Sequence, residues 1–173
     1  MKELMEYDNA ASHFYTKHNL HCLPFNSWDI SGRYFDEICK EFKNLNTLDS
    51  LAKNKKWTKP LALKAKVMEE GYVVLVTDAD LRIVHATNNI KKMNGYTPEE
   101  VKGKRPSIFQ GAETKSSSKE LIREALREKR PFETVVINYK KDGTTYKCWI
   151  KAEPLFNKKG DLINFIAFEK AVA

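Results

Sequence analysis

The sequence lacks the features that mark secreted and membrane-spanning chains. Only three of its 173 residues are cysteines: Cys22, Cys39 and Cys148. They show no CxxC spacing, and any disulfide pairing would leave one of them over. Such usage suits free thiols in a reducing compartment. No run approaches the roughly 20 apolar residues that a spanning helix needs, and the N-terminal MKELMEYDNAASHF has no apolar core of signal-peptide length. We therefore expect a cytoplasmic protein that does not enter a membrane.

The motifs of common enzymes and metal proteins are missing as well. The sequence contains no P-loop, no GxSxG or HExxH motif, no paired-carboxylate motif and no arrangement of nucleophile and base. One group of potential metal ligands, His13, His18, His21 and Cys22, has no second half that would complete a four-ligand zinc site. We predict that the chain is not an enzyme and that it holds no metal.

Basic charge is in excess but is not concentrated on one segment. The 30 lysines and arginines outnumber the 23 acids and give a formal net charge of +7, yet both signs alternate in segments such as EALREKR. The densest basic run, KNKKWTK at residues 53–59, is typical of a solvated linker. Nucleic-acid binding, which uses a clustered basic surface, is therefore not expected. The 42% of hydrophobic residues suffice for one domain with an extension.

The C-terminal part of the chain, residues 70–173, alternates short strands with turns. Residues 72–78 and 81–86 are rich in β-branched and apolar side chains and predict two strands. Three more strands are predicted at 132–140, 144–154 and 162–170, and a turn at Lys141-Asp142-Gly143 joins the first two of these.

One amphipathic helix stands out between these two groups of strands. Residues 116–130, SSSKELIREALREKR, carry an apolar stripe at helical spacing, and Ser117 with Glu120 matches a capping box. Together the elements predict an α+β domain, with a five-stranded antiparallel sheet and short helices on one face.

Residues 1–69 are predicted to form a helical extension to this domain. The segments KELMEYDNAASHFYTK, SGRYFDEICKEFKNL and KPLALKAKVMEE have helical apolar spacing and no strand alternation.

Both faces of the predicted sheet are apolar. Successive strand residues point to opposite faces, and a face exposed to water would be polar. The face turned away from the short helices instead carries Val135, Ile137, Trp149, Ile166 and Phe168. We expect the helical extension, from the same chain or from a dimer partner, to cover these residues; a separate dimerisation element is the alternative.

Five motifs in matching order and spacing make residues 70–170 resemble the PAS domain family and, within it, the LOV photosensor branch. The motifs are ATNN at 86–89, GYTPEEVKGK at 95–104, GKRPSIFQG at 103–111, INYKKDGTTYKCW at 137–149 and EPLFNKKGDLINFIAF at 153–168. The first 66 residues carry no such motif. The resemblance implies the PAS fold, with a ligand pocket between the sheet and the short helices.

The LOV loop that this chain resembles reads roughly GRNCRFLQG, and its cysteine forms a light-driven bond to flavin mononucleotide. Here Pro106 stands in the place of that cysteine and Ser107 in the place of an arginine that pairs with the flavin phosphate. Proline has no nucleophile, so the resemblance implies a domain without adduct chemistry.

The other flavin-contacting positions are partly kept. Gln110 and Asn138 match the family, whereas Cys148 replaces a second asparagine and Glu169 replaces the glutamine of the last strand. Because each unmet polar group costs about 1–3 kcal/mol, flavin mononucleotide is not the expected ligand. Haem is not expected either: the resemblance implies an axial histidine on the long helix, as in haem-binding PAS domains, and the helix at 116–130 has none.

The resemblance gives six candidates for the pocket: Asn138, Gln110, Asn88, Cys148, Glu169 and Pro106. Asn138 and Gln110 either bind a small ligand or satisfy backbone groups in a filled core. Glu169 lies near the predicted end of its strand and is expected in water, with a cation or a polar ligand as the alternative. Cys148 is expected to be a small buried hydrophobe.

The function implied is that of a non-catalytic sensory or regulatory domain. It would bind a small ligand, a protein partner or both, and relay its state through the sheet face, with a homodimer expected and the signalling partner unidentified. Since no kinase or DNA-binding motif follows the last strand, the effect is expected to reach another protein. The alternatives are a ligand-free dimerisation or interaction module, and a flavin-binding sensor without adduct chemistry.

Overall fold

The structure, a computed structural model, describes residues 26–58, 66–67 and 70–172. The predicted helix at 2–17, most of the predicted helix at 59–70 and the cluster of histidines with Cys22 lie outside the described residues. The chain divides into two compact units, Met1–Cys39 and Lys40–Ala173. Helix α1, Asn26–Lys55, contains the helical segment predicted at 31–45.

A single antiparallel sheet organises the second unit. Its strands are β1 Val73–Asp78, β2 Ile83–Ala86, β3 Phe132–Tyr139, β4 Thr145–Phe156 and β5 Leu162–Val172. They lie in the order β2-β1-β5-β4-β3, so that β5 is central and β3 is an edge strand. This confirms the predicted α+β class with a five-stranded antiparallel sheet.

Four short helical segments connect β2 to β3. They are α2 Ile90–Asn94, α3 Pro98–Val101, a 3-10 helix at Pro106–Phe109 and α4 Ser116–Arg127.

Local signals explain where these elements begin and end, with one correction. The capping box is at α3, where the Thr97 side chain accepts from the Glu100 amide and the Glu100 carboxylate accepts from the Thr97 amide. The capping box predicted at Ser117 and Glu120 is wrong, because α4 already begins at Ser116 and its N-cap, Lys115, makes no side-chain cap. The turn between β3 and β4 follows the prediction: Gly143 has a φ of 86°.

Each face of the sheet supports its own apolar cluster. On one face Leu75, Ile83, Ile90, Val101 and Phe109 join the strands to the short helices. On the opposite face, which we call the outer face, Leu45 and Leu48 of α1 share a cluster with Ile166 and Phe168 of β5. Leu48 and Ile166 are both fully buried. The C-terminal part of α1 thus packs on the outer face.

Polar contacts hold the segment after α1 to the same sheet. The indole N–H of Trp57 donates to Asn164 Oδ1 over 3.0 Å, and the amide of Thr58 donates to the Phe156 carbonyl over 3.1 Å. The Asn164 amide in turn donates to the Thr77 carbonyl over 2.8 Å. Residues 57 and 58 therefore continue the packing of α1 onto the sheet.

The five residues predicted on the outer face differ in how far they are covered. Ile166 and Phe168 are buried, and Trp149 packs against their cluster with its ring 5.5 Å from that of Tyr72. On the edge strand, in contrast, Val135 is 46% exposed and Ile137 is half-buried. The role of these residues as an interface stays a prediction, as does the domain boundary at 69/70.

Within the residues that the structure describes, no helix is long and apolar enough to pass through a lipid bilayer.

Candidate functional site

A cavity of about 330 Å³ lies between the sheet and α4, with the 3-10 helix at one side. Strands β1, β3, β4 and β5 all contribute to its lining. Most of its wall is apolar: Leu75, Phe109, Ile122, Leu126, Phe132, Ile150, Ala152, Phe165 and Ala167. Its size and its mostly apolar wall are those of a small-molecule site.

Three polar side chains on the sheet line this cavity. Asn138, Thr77 and Glu169 are 3%, 6% and 3% exposed. The Asn138 Oδ1 and Thr77 Oγ1 atoms are buried without a hydrogen-bond partner. Buried polar atoms are nearly always paired in proteins, so unpaired ones beside a cavity mark a place where a ligand or water can bind.

Glu169 is the only acid among the lining residues that the structure describes. Its Oε2 lies 3.8 Å from the thiol of Cys148, which is a weak donor. Burial raises the pKa of Glu169 to about 7, and the contact with Cys148 lowers it only partly. The group therefore changes its protonation state near neutral pH.

The expectation that Glu169 sits in water at a strand end is wrong. Strand β5 continues to Val172, and Glu169 is paired with Val73 on one side and Ile150 on the other. A residue in the middle strand of a sheet cannot reach solvent along the strand edge. The carboxyl group is consequently held at the cavity, where a polar ligand or water can improve its solvation.

Two neighbours of Glu169 on β4 also have perturbed acidity. Burial raises the pKa of Cys148, and the nearby carboxyl of Glu169 adds to the effect. Burial likewise raises the pKa of Tyr146, with Cys148 and Glu169 adding to it, while the nearby amides of Asn94 and Asn138 act in the opposite direction. Cys148 is fully buried, as predicted for a small hydrophobe. Since its protonated form is favoured, it is not set up as a nucleophile.

The opposite side of the cavity lining is basic. Arg105, Lys119 and Arg123 line it, the first and third exposed and the second half-buried. The Lys119 ammonium donates to the Gly111 carbonyl over 3.2 Å, whereas neither arginine has an ion-pair partner within the described ranges 26–58, 66–67 and 70–172. We call these three residues the basic mouth of the cavity. Their charge can attract an anion.

The loop GKRPSIFQG brings Pro106, Ser107 and Gln110 to the same cavity. Its last residue, Gly111, fits against the ring of Tyr139, where an added Cβ would come within 2.4 Å of a ring carbon. The Tyr139 hydroxyl accepts from the Glu113 amide over 3.0 Å and so helps to fix the loop on β3. The glycine is thus required by close packing, which places Gln110 at the cavity.

Four of the six predicted pocket residues line the cavity: Asn138, Gln110, Glu169 and Pro106. Cys148 is buried behind it, in contact with Glu169. Asn88 is not among the lining residues and lies in the turn before α2. Their part in ligand binding stays a prediction.

Sequence reasoning missed the basic residues of the mouth. Lys119 and Arg123 are spaced i, i+4 on α4, and Ile122 and Leu126 line the cavity beside them. The signal was present in the helix periodicity, because residues four apart share a face. The sequence analysis used only the apolar stripe of this helix and made no prediction for its charged residues.

Comparison with protein families gives one match that covers most of the second unit. The sequence pattern of the PAS domain family matches residues 69–170. This range contains all five strands except the last two residues of β5, and every residue that lines the cavity.

Two plant proteins illustrate the relatives. Protein TWIN LOV 1 of Arabidopsis thaliana is 37% identical over 92 residues, which are 53% of this chain and 23% of that protein. Phototropin-2 of Oryza sativa subsp. japonica is 30% identical over 107 residues, which are 61% of this chain and 12% of that protein. The chain thus spans less than a quarter of the length of either relative.

A solved structure shares the fold. A light-oxygen-voltage domain, from a study of its mechanism with a flavin analogue, superimposes with a TM-score of 0.60 at 25% identity, covering 64% of this chain and 84% of that one. Similarity in fold and in sequence therefore points to the same branch that the loop motifs suggest.

Proposed function

The chain belongs to the PAS domain family, in which its similarities lie with LOV sensory domains, and we propose that it acts without catalysis, by binding a small ligand in the cavity. The observation that carries this proposal is the set of buried polar atoms at the cavity, above all the Asn138 Oδ1 and the Glu169 carboxyl group. Buried polar atoms without a partner, on residues that line a cavity, are better explained by a bound ligand or water than by a core filled with the protein's own side chains.

The route by which occupancy reaches the rest of the molecule runs through β5. Glu169 and Ala167 line the cavity, while Phe168 and Ile166, which alternate with them, pack with Leu45 and Leu48 of α1 on the outer face. A ligand that shifts β5 changes the surface against which α1 packs. It can shift the balance between two such packings only by its difference in affinity for them.

For the protein partner, we propose a second copy of the chain, bound through the exposed part of the outer face. The proposal is supported by the exposure of Val135 on the edge strand β3, because sheet edges with apolar side chains tend to pair. A cytoplasmic location is supported by the free thiols of Cys39 and Cys148, which suit a reducing compartment.

Mass spectrometry of the native chain tests the ligand proposal. Purified protein is denatured, and the small molecules released are identified and quantified. We expect one compound near one equivalent, and we expect its loss from Ala167→Leu, which narrows the cavity. Ala171→Leu, on an exposed position of the same strand, is the matched control that keeps the compound. Thermal melting of both variants verifies that they fold.

If the native chain releases no stoichiometric compound and added compounds bind no better to it than to Ala167→Leu, the ligand proposal is wrong. The chain would then be a ligand-free interaction module.

A flavin-binding sensor without adduct chemistry is the second candidate, and the basic mouth favours it. Arg105, Lys119 and Arg123 could hold a phosphate group although Ser107 supplies no charge of its own. The fit on the sheet side is poorer: Asn138 offers an amide, but Glu169 and the buried Cys148 do not. The bond-forming thiol is replaced by Pro106, so a flavin here would act without an adduct. A yellow preparation with a flavin spectrum would decide for this candidate.

A further inference from the structure

The cavity separates opposite charges, and this arrangement restricts what can bind. Of the residues that line it, Arg105, Lys119 and Arg123 are basic and come from the loop and α4, whereas Glu169 is acidic and comes from the central strand β5. Apolar side chains make up most of the rest of the lining. A complementary ligand has an anionic group at its outer end, an apolar body, and a cationic or hydrogen-bond-donating group at its inner end.

The inner end of the cavity is rich in acceptors. The free atom of Asn138 is its carbonyl oxygen, which can only accept, and an ionised Glu169 carboxylate can accept up to about four hydrogen bonds. Among the described residues, the Cys148 thiol contacts Glu169 over 3.8 Å, and the buried Tyr146 hydroxyl lies near enough to Glu169 to interact with it electrostatically. Thr77 Oγ1 can donate or accept a hydrogen bond, so it does not offset the excess of acceptors over donors. A ligand atom placed here must supply donors.

Resting on the proposed function, we infer that the cavity selects a small molecule with an anionic outer group, an apolar body and a protonated nitrogen, or a comparable set of donors, at an inner end held by Glu169. A ring with carbonyl acceptors at this end would instead face the carboxylate and the Asn138 carbonyl. The cavity should therefore bind this class of ligand more tightly than neutral molecules of the same shape, or than molecules with acceptors at the inner end.

Among the residues that the structure describes, the titratable and polar neighbours of Glu169 come from β1, β3 and β4. Cys148 and Tyr146 on β4 are protonated at neutral pH, because burial raises the pKa of each. Strands β1 and β3 contribute only the neutral Thr77 and Asn138 to the lining, and the arginines and Lys119 lie on the loop and α4. Among the described lining residues, no second acid competes for a cationic group.

Three matched benzoates test the inference. Para-aminomethylbenzoate has an ammonium at its inner end, para-hydroxymethylbenzoate is its neutral counterpart, and terephthalate ends in a second carboxylate. The shared carboxylate makes the interaction with the basic mouth equal in all three. Calorimetric titration at about pH 8 should give at least about tenfold tighter binding of the ammonium probe, as expected for one charge-assisted hydrogen bond. Glu169→Gln should abolish this preference.

Two controls keep the readings separate. Arg123→Gln, an exposed change at the mouth, should weaken all three probes alike and leave the preference intact. The formal net charge of +7 by itself favours the more anionic probes, so a preference for the ammonium cannot come from the overall field. In the unaltered chain, lowering the pH to about 6 should erase the preference, because Glu169 becomes protonated.

The outcomes distinguish this inference from the proposed function. If the probes bind with equal affinity, if terephthalate binds most tightly, or if Glu169→Gln keeps the preference, the inferred ligand class is wrong while a binding cavity remains. If no probe binds saturably, and the native chain also releases no compound on denaturation, both the cavity's function and the ligand class are wrong.

Discussion

At the scale of single residues, one exchange changes the character of the site most. Glu169 takes the position at which the resemblance to LOV domains implies a glutamine, and it does so at a place that is 3% exposed. An amide there is neutral at every pH, whereas the carboxyl changes its charge near neutrality. The site therefore carries a pH dependence that a glutamine would not give it.

Glu169→Gln should flatten the pH dependence of the stability. The ordinary pKa of 4.5 applies to the unfolded chain, and the folded value is about 7, so the folded state binds more protons between these limits. The contribution of Glu169 to stability is complete below about pH 4.5 and is lost as the pH rises through about 7. As the pH rises from below about 4.5 to above about 7, the free energy of unfolding of the native chain should thus fall by up to about 3 kcal/mol more than that of the variant.

Urea unfolding at about pH 5 and pH 8 measures this difference. Glu99→Gln, at an exposed carboxyl, is the control and should leave the pH dependence of the native chain unchanged. Equal changes with pH in the native chain and in Glu169→Gln would contradict the prediction.

At the scale of elements, the informative contact is that between the C-terminal part of α1 and the sheet. Leu48 is fully buried in the outer-face cluster, while Ser50, two positions along the same helix, is exposed. Packing of this kind joins α1 to β5, whose other face lines the cavity. The helix is thus well placed to respond to changes in the strand.

Leu48→Ala should destabilise the chain by about 3 kcal/mol, because it removes buried methyl groups and leaves a cavity. Ser50→Ala on the same helix should change the free energy of unfolding by less than about 0.5 kcal/mol. Chemical denaturation of both variants gives the comparison. A cost for Leu48→Ala as small as that for Ser50→Ala would show that α1 does not depend on the sheet for its position.

At the scale of the whole molecule, the outer face is covered unevenly. The side near β5 is buried under α1, whereas the edge strand β3 leaves Val135 at 46% exposure. Trp149 stands between the two regions, with its indole N–H donating to the Glu133 carboxylate over 3.1 Å. The bare region adjoins the covered one and suits a second copy of the chain.

Val135→Lys should shift the chain from dimer to monomer in sedimentation at micromolar concentration, because it places a charge on the apolar edge. Leu121→Lys, at an exposed hydrophobic position of α4, is the matched control and should leave the mass unchanged. Neither exposed change should alter the melting temperature by more than a few degrees. A native chain that sediments as a monomer, or as a dimer unaffected by Val135→Lys, would rule out this interface.

The sequence by itself determined the α+β class, the five strands and the turn at Gly143, because hydrophobic periodicity and turn residues act over short distances. It also placed Asn138, Gln110 and Pro106 near one another through motifs in register. Only the tertiary structure decided that Glu169 lies inside a cavity, that Asn88 lies outside it and that Arg123 stands at its mouth. These outcomes depend on how β5 is flanked and how α4 lies over the sheet, which are long-range packing relations that no local pattern encodes.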